Sequence, residues 1–429
     1  MKIIKRFIQN LIRIFFMLLT LIRQCLRNKS DIKLGFLVEE FFHEDLRGFG
    51  GFGMLVKYIT DHFNPKRGMF GADVLLTFPV DCDQPQKKRY HHANVILKPK
   101  VNKNYVANYL RYSNLIFQTR INAFISIDYY GSYDYPLSVF PHMPLMIWHQ
   151  DPRDEQEWVQ IITVSLEVKF LSKFKTFDYN RFMNNQRTSV EKMLDDSKRL
   201  NRKIYFVSQA NQLNAMAERL YGISNTNPTF LPNPIQSIGV QHQHFSQKPS
   251  FLLLGRLDPI KRPWIYFELA KRFKEYDFYV AGSTHYQEEM DRVIANYQNI
   301  PNLKFLGRIM SEQKDQILNS IWAVINTSIH EALPVSFLEA FAYGKLVISC
   351  RNPDNLVNRF GFYTGEILGE GTDQVSMGKF ETAVKKLVSK DFDKETRGLA
   401  ARQYVLETHT FENYEKIVRE VLTNKKSYL

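Results

Sequence analysis

Two stretches of the chain combine residue types that can bind a phosphate and a polyhydroxylated group. In GRLDPIKRP (255–263), Arg256 and Lys261 stand five residues apart where the apolar run FLLL gives way to a helical pattern. In an open α/β sheet, ligands collect where strand ends feed helix N-termini. The unpaired N–H groups of such a helix favour phosphate. Arg256 and Lys261 add full charges at that edge, and Gly255 allows the backbone a tight exit. Together they would hold a diphosphate and stabilise it as it leaves; a turn with merely solvated Arg and Lys side chains is the alternative. The second stretch, HEALPVSFLEAFAYGK (330–345), follows the apolar IWAVINTSI and carries Glu331 and Glu339 eight residues apart. Pro334 suits a helix start, which puts Glu331 in the preceding loop and Glu339 near the first turns. Carboxylates accept hydrogen bonds from vicinal hydroxyls, so this pair could hold a sugar and a ribose on either side of a diphosphate. Ser336 and Glu339 also fit the S-x-x-E capping box, in which Glu339 would only satisfy a backbone N–H.

Such residues need strands that end beside helix starts. The second half supplies SFLLLG, YDFYVAGS, NLKFLGRI, IWAVINTSI and KLVISC, with helical segments between them. The first half supplies IKLGFLVEEF (32–41), GADVLLTFPV, NAFISIDYY, MPLMIWH and KIYFVS, with the glycine-rich RGFGGFGMLVKYITDHF opening a helix after the first strand. Alternation of strands and helices predicts a parallel sheet. Two series of similar size predict an α/β protein of two facing Rossmann-like domains, 30–236 and 248–405. Between them FLPNPIQSIGVQHQHFSQKPS, with prolines and little periodicity, reads as a connection. Residues 151–200 read as charged and helical without an assigned role.

At 429 residues, 44% hydrophobic and 14% aromatic, the chain has core material for two or three domains. Its three cysteines, Cys25, Cys82 and Cys350, show no metal-ligand spacing, which argues for a reducing compartment and against a disulfide framework. The formal net charge of +13 suits an anionic partner. Residues 1–29 point to a membrane surface. Ile4, Phe7, Ile8, Leu11, Ile12, Phe15, Leu18, Leu19, Ile22 and Leu26 recur at helical spacing, and Lys2, Lys5, Arg6, Arg13, Arg23 and Arg27 fall mostly opposite them. The longest charge-free run, 14–22, is far short of the ~20 residues that span a bilayer. Arg13 and Arg23 interrupt any secretory signal. The reading is a helix in the plane of the membrane interface, on the cytoplasmic face; a helix packed on the protein's own core or on a sister subunit is the alternative.

In order along the chain, the glycine-rich loop, FVS (206–208), LPNPI (231–235), GRLDPIKRP, FLGRI (305–309) and E-x7-E with LEAFAYGKLVIS resemble the GT-B glycosyltransferases, specifically the large retaining family four. The resemblance runs from residue 32 to about 414 and is strongest in the second half. It implies that the C-terminal domain binds a nucleotide sugar, the N-terminal domain binds the acceptor, and 406–429 form a final helix crossing back to the first domain. It implies Arg256 and Lys261 on the diphosphate, Glu339 on the ribose, Glu331 on the transferred sugar, backbone of Leu333, Pro334, Val335 and Ser336 near sugar and phosphate, and Arg308 or Ile309 beside the base. Gly50 and Gly51 would match the glycine pair near the phosphates, with a flexible turn as the alternative. His149, at a strand's end in MIWHQDP, would contact the transferred sugar, with Asp151 as its acidic neighbour; a lone histidine there is also commonly structural. His43, His91, His92 and the pair in QHQH form no coherent ligand set.

The implied reaction is hexosyl transfer from a nucleotide diphosphate sugar to a glycan or lipid-linked acceptor, such as a growing surface polysaccharide. Anomeric configuration would be retained, with no cofactor and no metal, since preorganised Arg, Lys and helix N–H groups supply the needed charge. Asp81-Cys82-Asp83 is formally a D-x-D but lacks the context of a metal site, and reads as a loop. The rivals are a nucleotide-sugar epimerase of related fold, which needs no acceptor, and a non-catalytic basic membrane-binding protein. No nucleic-acid module is recognisable.

Overall fold

A computed structural model describes residues 2–25, 31–41, 46, 50–63, 70–90, 93–100, 104–162, 178–236, 244–284, 287–309 and 311–429. His43, His91, His92 and His242 lie outside these residues. The chain divides into two compact units, one of residues 1–152, 180–234 and 411–429, the other of 153–179 and 235–410.

The first unit is built on eight strands: β1 (Ile32–Val38), β2 (Phe70–Val80), β3 (Gln86–Tyr90), β4 (Ala93–Pro99), β5 (Ala123–Ile127), β6 (Leu145–His149), β7 (Ile204–Ser208) and β8 (Thr229–Phe230). Their order is β3-β4-β2-β1-β5-β6-β7-β8, and every pairing is parallel except the β3–β4 hairpin. β1, β5, β6 and β7 are apolar runs buried along almost their whole length, as a parallel sheet covered on both faces requires. β3 and β4 escape the sequence reading. QKKRY is an exposed edge strand whose charges hide any strand pattern, and ANVILKP pairs with it antiparallel. The last helix, Phe411–Asn424, adds Phe411, Tyr414, Val418 and Val421 to this unit's core beside Trp148 and Phe63. His62 stacks on Phe411 with ring centroids 3.9 Å apart. The expected single helix over 406–429 is broken: helix Lys394–Thr408 ends in the second unit before Phe411 begins the next.

Helix α1 (Lys2–Cys25) lies against the first unit by its narrower face. Phe16 is buried against Phe117 and Phe140, Arg13 Nε donates to the Tyr109 hydroxyl at 3.0 Å, and Met17 Sδ is 3.1 Å from His142 Nε2. The apolar stripe points the other way. Ile4 and Phe7 are each 63% exposed, Phe15 56% and Leu18 51%. Of the alternative, a helix packed on the protein's own core, one face is seen, at Phe16. Among the described residues no helix is long and apolar enough to cross a membrane.

The second unit carries β9 (Ser250–Leu254), β10 (Asp277–Ala281), β11 (Leu303–Gly307), β12 (Ala323–Asn326), β13 (Leu346–Ser349) and β14 (Gly361–Tyr363). All pair in parallel, in the order β11-β10-β9-β12-β13-β14. Counted from β9 this is 3-2-1-4-5-6, the doubly wound order. The core is formed by Phe251, Leu253, Phe278, Ile325 and Ile348 from the strands with Ile265 and Phe267 from helix Pro263–Arg272. Helix α5 (Glu155–Ile162), which the sequence places inside the first domain, groups with this unit, and its Ile161 enters this core.

The exits of β9 and β10 press together. Gly255 (φ +152°) donates its N–H to Ala281 O at 3.0 Å, and a Cβ on Gly282 (φ +156°) would stand 1.7 Å from Gly255 O. Gly282→Ala must therefore push β9 and β10 apart. It should destabilise the second unit by about 3 kcal/mol, read as an earlier thermal unfolding transition; an unchanged transition would refute the close approach.

Candidate functional site

In the second sheet the strand order reverses between β9 and β12, so their carboxyl ends flank an open crevice. The loop after β9 carries Arg256 and Lys261, and the loop after β12 carries Glu331. Hydrogen bonds stitch these loops together: Ile329 N donates to Ile260 O at 2.9 Å and Thr327 Oγ1 to Lys261 O at 2.7 Å. Lys261 Nζ then lies 2.7 Å from Glu331 Oε1. The same oxygen accepts from Asn326 Nδ2 at 2.8 Å and from Ser328 Oγ at 2.5 Å. Burial by itself would raise the Glu331 pKa, but the Lys261 charge and the hydrogen bonds from Lys261, Ser328 and Asn326 outweigh it and hold it below the ordinary value. Glu331 is thus an ionised acceptor fixed in place.

Arg262 does a different job from its neighbour. Fully buried with φ +45°, it donates Nε to Thr327 O at 2.8 Å, Nη1 to Ile367 O at 3.0 Å and Gly369 O at 2.9 Å, and Nη2 to Cys350 Sγ at 3.2 Å. The guanidinium replaces carbonyl hydration for the loops after β12 and β14 and holds the floor under Lys261 and Glu331. Adjacent cations in the sequence gave no sign of this division between them.

Arg256 reaches Asp258 at 3.3 Å and stays partly exposed. Glu339 is buried, 2.7 Å from Lys314 Nζ. Pro334 is the N-cap of helix Val335–Ala342 and gives no side-chain cap. Ser336 is already inside the first turn, so the capping-box reading is corrected, and Glu339 faces a lysine. Leu333 is buried, while Pro334, Val335 and Ser336 are half-buried at the helix start. At the end of β11, Arg308 is exposed and Ile309 buried.

The sequence reading missed how α5 braces this loop. Glu157 Oε2 pairs with His330 Nδ1 at 2.5 Å, next to Glu331. Arg351 donates to Gln160 Oε1 at 2.8 Å and also to Ile329 O. A charged helix after a strand of the other unit carries no periodic signal for such a role.

In the first unit His149 is fully buried between Phe206 and Tyr221, with ring centroids 5.6 and 5.8 Å away. Neither ring nitrogen has a hydrogen-bond partner among the described residues, and burial lowers its pKa to about 3. It is a neutral imidazole in this structure. Asp151 N and Gln150 N donate to the two Asp128 carboxylate oxygens, each at 2.9 Å. Gln150 Nε2 donates to Asn233 Oδ1 at 2.9 Å, and Asn233 and Gln209 close the ring of buried amides. This is what the LPNPI motif does here. Gly50 caps α2 (Gly51–His62), and Gly53 N donates to Glu40 Oε1 at 2.8 Å. A Cβ at Gly50 would come within 2.5 Å of that oxygen, while one at Gly51 meets nothing. Gly50 therefore makes room for a carboxylate, which occupies the helix N-terminus where a phosphate was expected.

Asp81 and Asp83 stand in the turn after β2, and among the described residues no three His, Cys, Asp or Glu side chains are grouped to hold a metal ion. Residues 235–358 match the family described as glycosyl transferases group 1. The fold is similar to HepE of Anabaena, solved with UDP-glucose, at 15% identity and TM-score 0.61 over 92% of this chain and 100% of that one. It is similar to WaaB, a lipopolysaccharide outer core galactosyltransferase, at 15% identity and TM-score 0.57 over 90% and 99%. It is also similar to a TarM variant of S. aureus, solved with fondaparinux, alpha-GlcNAc-glycerol and UDP, at 10% identity and TM-score 0.59 over 92% and 100%. At these identities the likeness is one of fold, the GT-B fold of two parallel-sheet domains. No curated protein matches the chain.

The Lys261–Glu331 pair sets a pH dependence. Because the folded-state pKa of Glu331 lies below the ordinary 4.5, its contribution is fully present above that value and is lost as pH falls through the folded pKa. Glu331→Gln should destabilise the second unit near neutrality by about 3 kcal/mol, as for a broken buried pair, read as a lower urea midpoint. The gap to wild type should begin to narrow only below the ordinary 4.5 and shrink further as the medium is made more acidic; a gap of equal size at neutral and strongly acid pH would remove the pair from the account.

Proposed function

We propose that the protein is a retaining glycosyltransferase that moves a hexosyl group from a nucleoside diphosphate sugar to a glycan or lipid-linked acceptor. The observation that carries this reading is the Lys261–Glu331 pair at the switch point of the second sheet, inside the segment that matches glycosyl transferases group 1. Lys261 and Arg256 sit on the donor diphosphate with the first-turn N–H groups of helix Val335–Ala342. Glu331 accepts hydrogen bonds from the transferred sugar's hydroxyls, Glu339 from the ribose, and Arg308 and Ile309 lie beside the base. The bond from the anomeric carbon to the phosphate oxygen breaks, and its electron pair stays on that oxygen. The acceptor hydroxyl attacks the same carbon from the same face, and its proton passes to the departing phosphate. Arg256, Lys261 and the helix N–H groups stabilise the leaving charge without a metal. UDP is the favoured nucleotide, because HepE and the TarM variant were both solved with it or its glucose conjugate.

A membrane-bound acceptor is supported by α1, whose exposed residues include Ile4, Phe7, Leu11, Phe15 and Leu18 and whose sequence is rich in Lys and Arg. A helix of this kind beds its apolar face among headgroups while cations meet anionic lipid.

Calorimetry with UDP, GDP, ADP and TDP should find one diphosphate that binds wild type and loses at least tenfold affinity in Lys261→Ala; if none binds, or Lys261→Ala binds equally well, the donor assignment fails. In flotation with phosphatidylglycerol vesicles, wild type should rise with the lipid, and the Phe7→Asp/Leu11→Asp/Leu18→Asp variant should stay below. Equal flotation of both would place the membrane contact elsewhere.

A further inference from the structure

The loop after β12 is held in two ways along its length. Up to Ile329 its backbone is pinned: Arg262 donates Nε to Thr327 O at 2.8 Å and Nη2 to Ser328 O at 3.3 Å, and Ile329 N donates to Ile260 O at 2.9 Å. At His330 the anchor is a side chain. The buried imidazole brings Nδ1 to 2.5 Å from Glu157 Oε2 on α5, and the next residue is Glu331.

α5 is built to present that carboxylate. Asp154 Oδ1 accepts from Glu157 N at 3.1 Å at the start of the helix. Ile161 enters the core of the second unit and Trp158 packs against it, while Glu157 and Gln160, three residues apart, share a face. Gln160 Oε1 accepts from Arg351, which also donates to Ile329 O. Burial by itself would raise the Glu157 pKa, but the hydrogen bond and charge of His330 and the charge of Arg351 outweigh it and hold it below the ordinary value. An ionised carboxylate only accepts, so His330 Nδ1 carries the proton, and the charge-assisted bond gives the imidazole one orientation. α5 thus fixes both residues that precede Glu331.

We infer that Glu157 is a positioning residue for Glu331, acting through His330, and that α5 thereby sets affinity for the transferred sugar and not for the nucleotide; the inference rests on the glycosyltransferase reading above. Lys261, Asn326 and Ser328 all meet Glu331 at Oε1. A carboxylate pinned at one oxygen can still swing about it, so Oε2 is aimed by the backbone that carries the side chain, and His330 fixes that backbone. Lys261, assigned to the diphosphate, is held without α5: its N donates to Asp258 O at 2.8 Å and its O accepts from Thr327 Oγ1 at 2.7 Å.

Hydrogen exchange and calorimetry on the full chain test this. In Glu157→Ala the amides of 329–333 should exchange about tenfold faster than in wild type, with those of β12 unchanged. Glu157→Gln, which still accepts from His330, should stay close to wild type. UDP, UDP-glucose, UDP-galactose and UDP-N-acetylglucosamine give the second readout. A conjugate that binds wild type should bind Glu157→Ala about fivefold more weakly, with UDP within about twofold in both variants. His330→Ala, which leaves α5 untouched, should show the same two losses and carries the test if Glu157→Ala does not fold. Unchanged exchange at 329–333, a conjugate bound equally well by the alanine variants, or UDP weakened as much as its conjugate would overturn the inference. If wild type binds UDP and none of the conjugates, the inference falls alone; if it binds no UDP either, the glycosyltransferase reading falls with it.

Discussion

The second unit depends on one buried carboxylate kept charged. Glu331 would be expensive to desolvate alone, and the structure compensates by bringing Lys261 from the loop after β9 and two neutral donors from the loop after β12 onto one oxygen. This fixes the distance between the two sides of the switch-point crevice. Arg262 serves the same constraint from below, because loops that carry charge can be held only if their carbonyls find partners out of water. α5 serves it from the side through His330 and Arg351.

The two sheets use one topological device with opposite sign. At the second switch point the charged groups are Arg256 and Lys261, both half-buried; at the first, between β1 and β5, they are Glu39 and Glu40 with aromatic rings. In each unit the strand order alone locates the crevice, and the side chains at the strand ends decide what it admits.

Much of this was legible in the sequence. Strand–helix alternation reported both sheets because parallel strands are buried on both faces and read as apolar runs. Lys261 and Glu331 were legible because charge is seldom placed at strand ends without a purpose. What was illegible is instructive in kind. β3 looks polar because an edge strand answers to water. Glu40 takes the helix N-terminus expected for phosphate through a contact between residues 13 apart, which no local pattern encodes. Ser336 and Glu339 match a capping box, but the helix is capped two residues earlier, at Pro334. Arg262 and Lys261 differ only in which side of the loop they leave, and that is decided by the left-handed backbone at Arg262.

The last helix has a consequence for how the chain is made. Phe411, Tyr414, Val418 and Val421 complete the core around Trp148 and Phe63, so the first unit lacks part of its interior until residues 411–424 have left the ribosome. The second unit, whose residues end at 410, can close earlier. Synthesis order and folding order are thus reversed: the half of the protein that emerges first is the half that must wait, with its apolar surface in the keeping of chaperones.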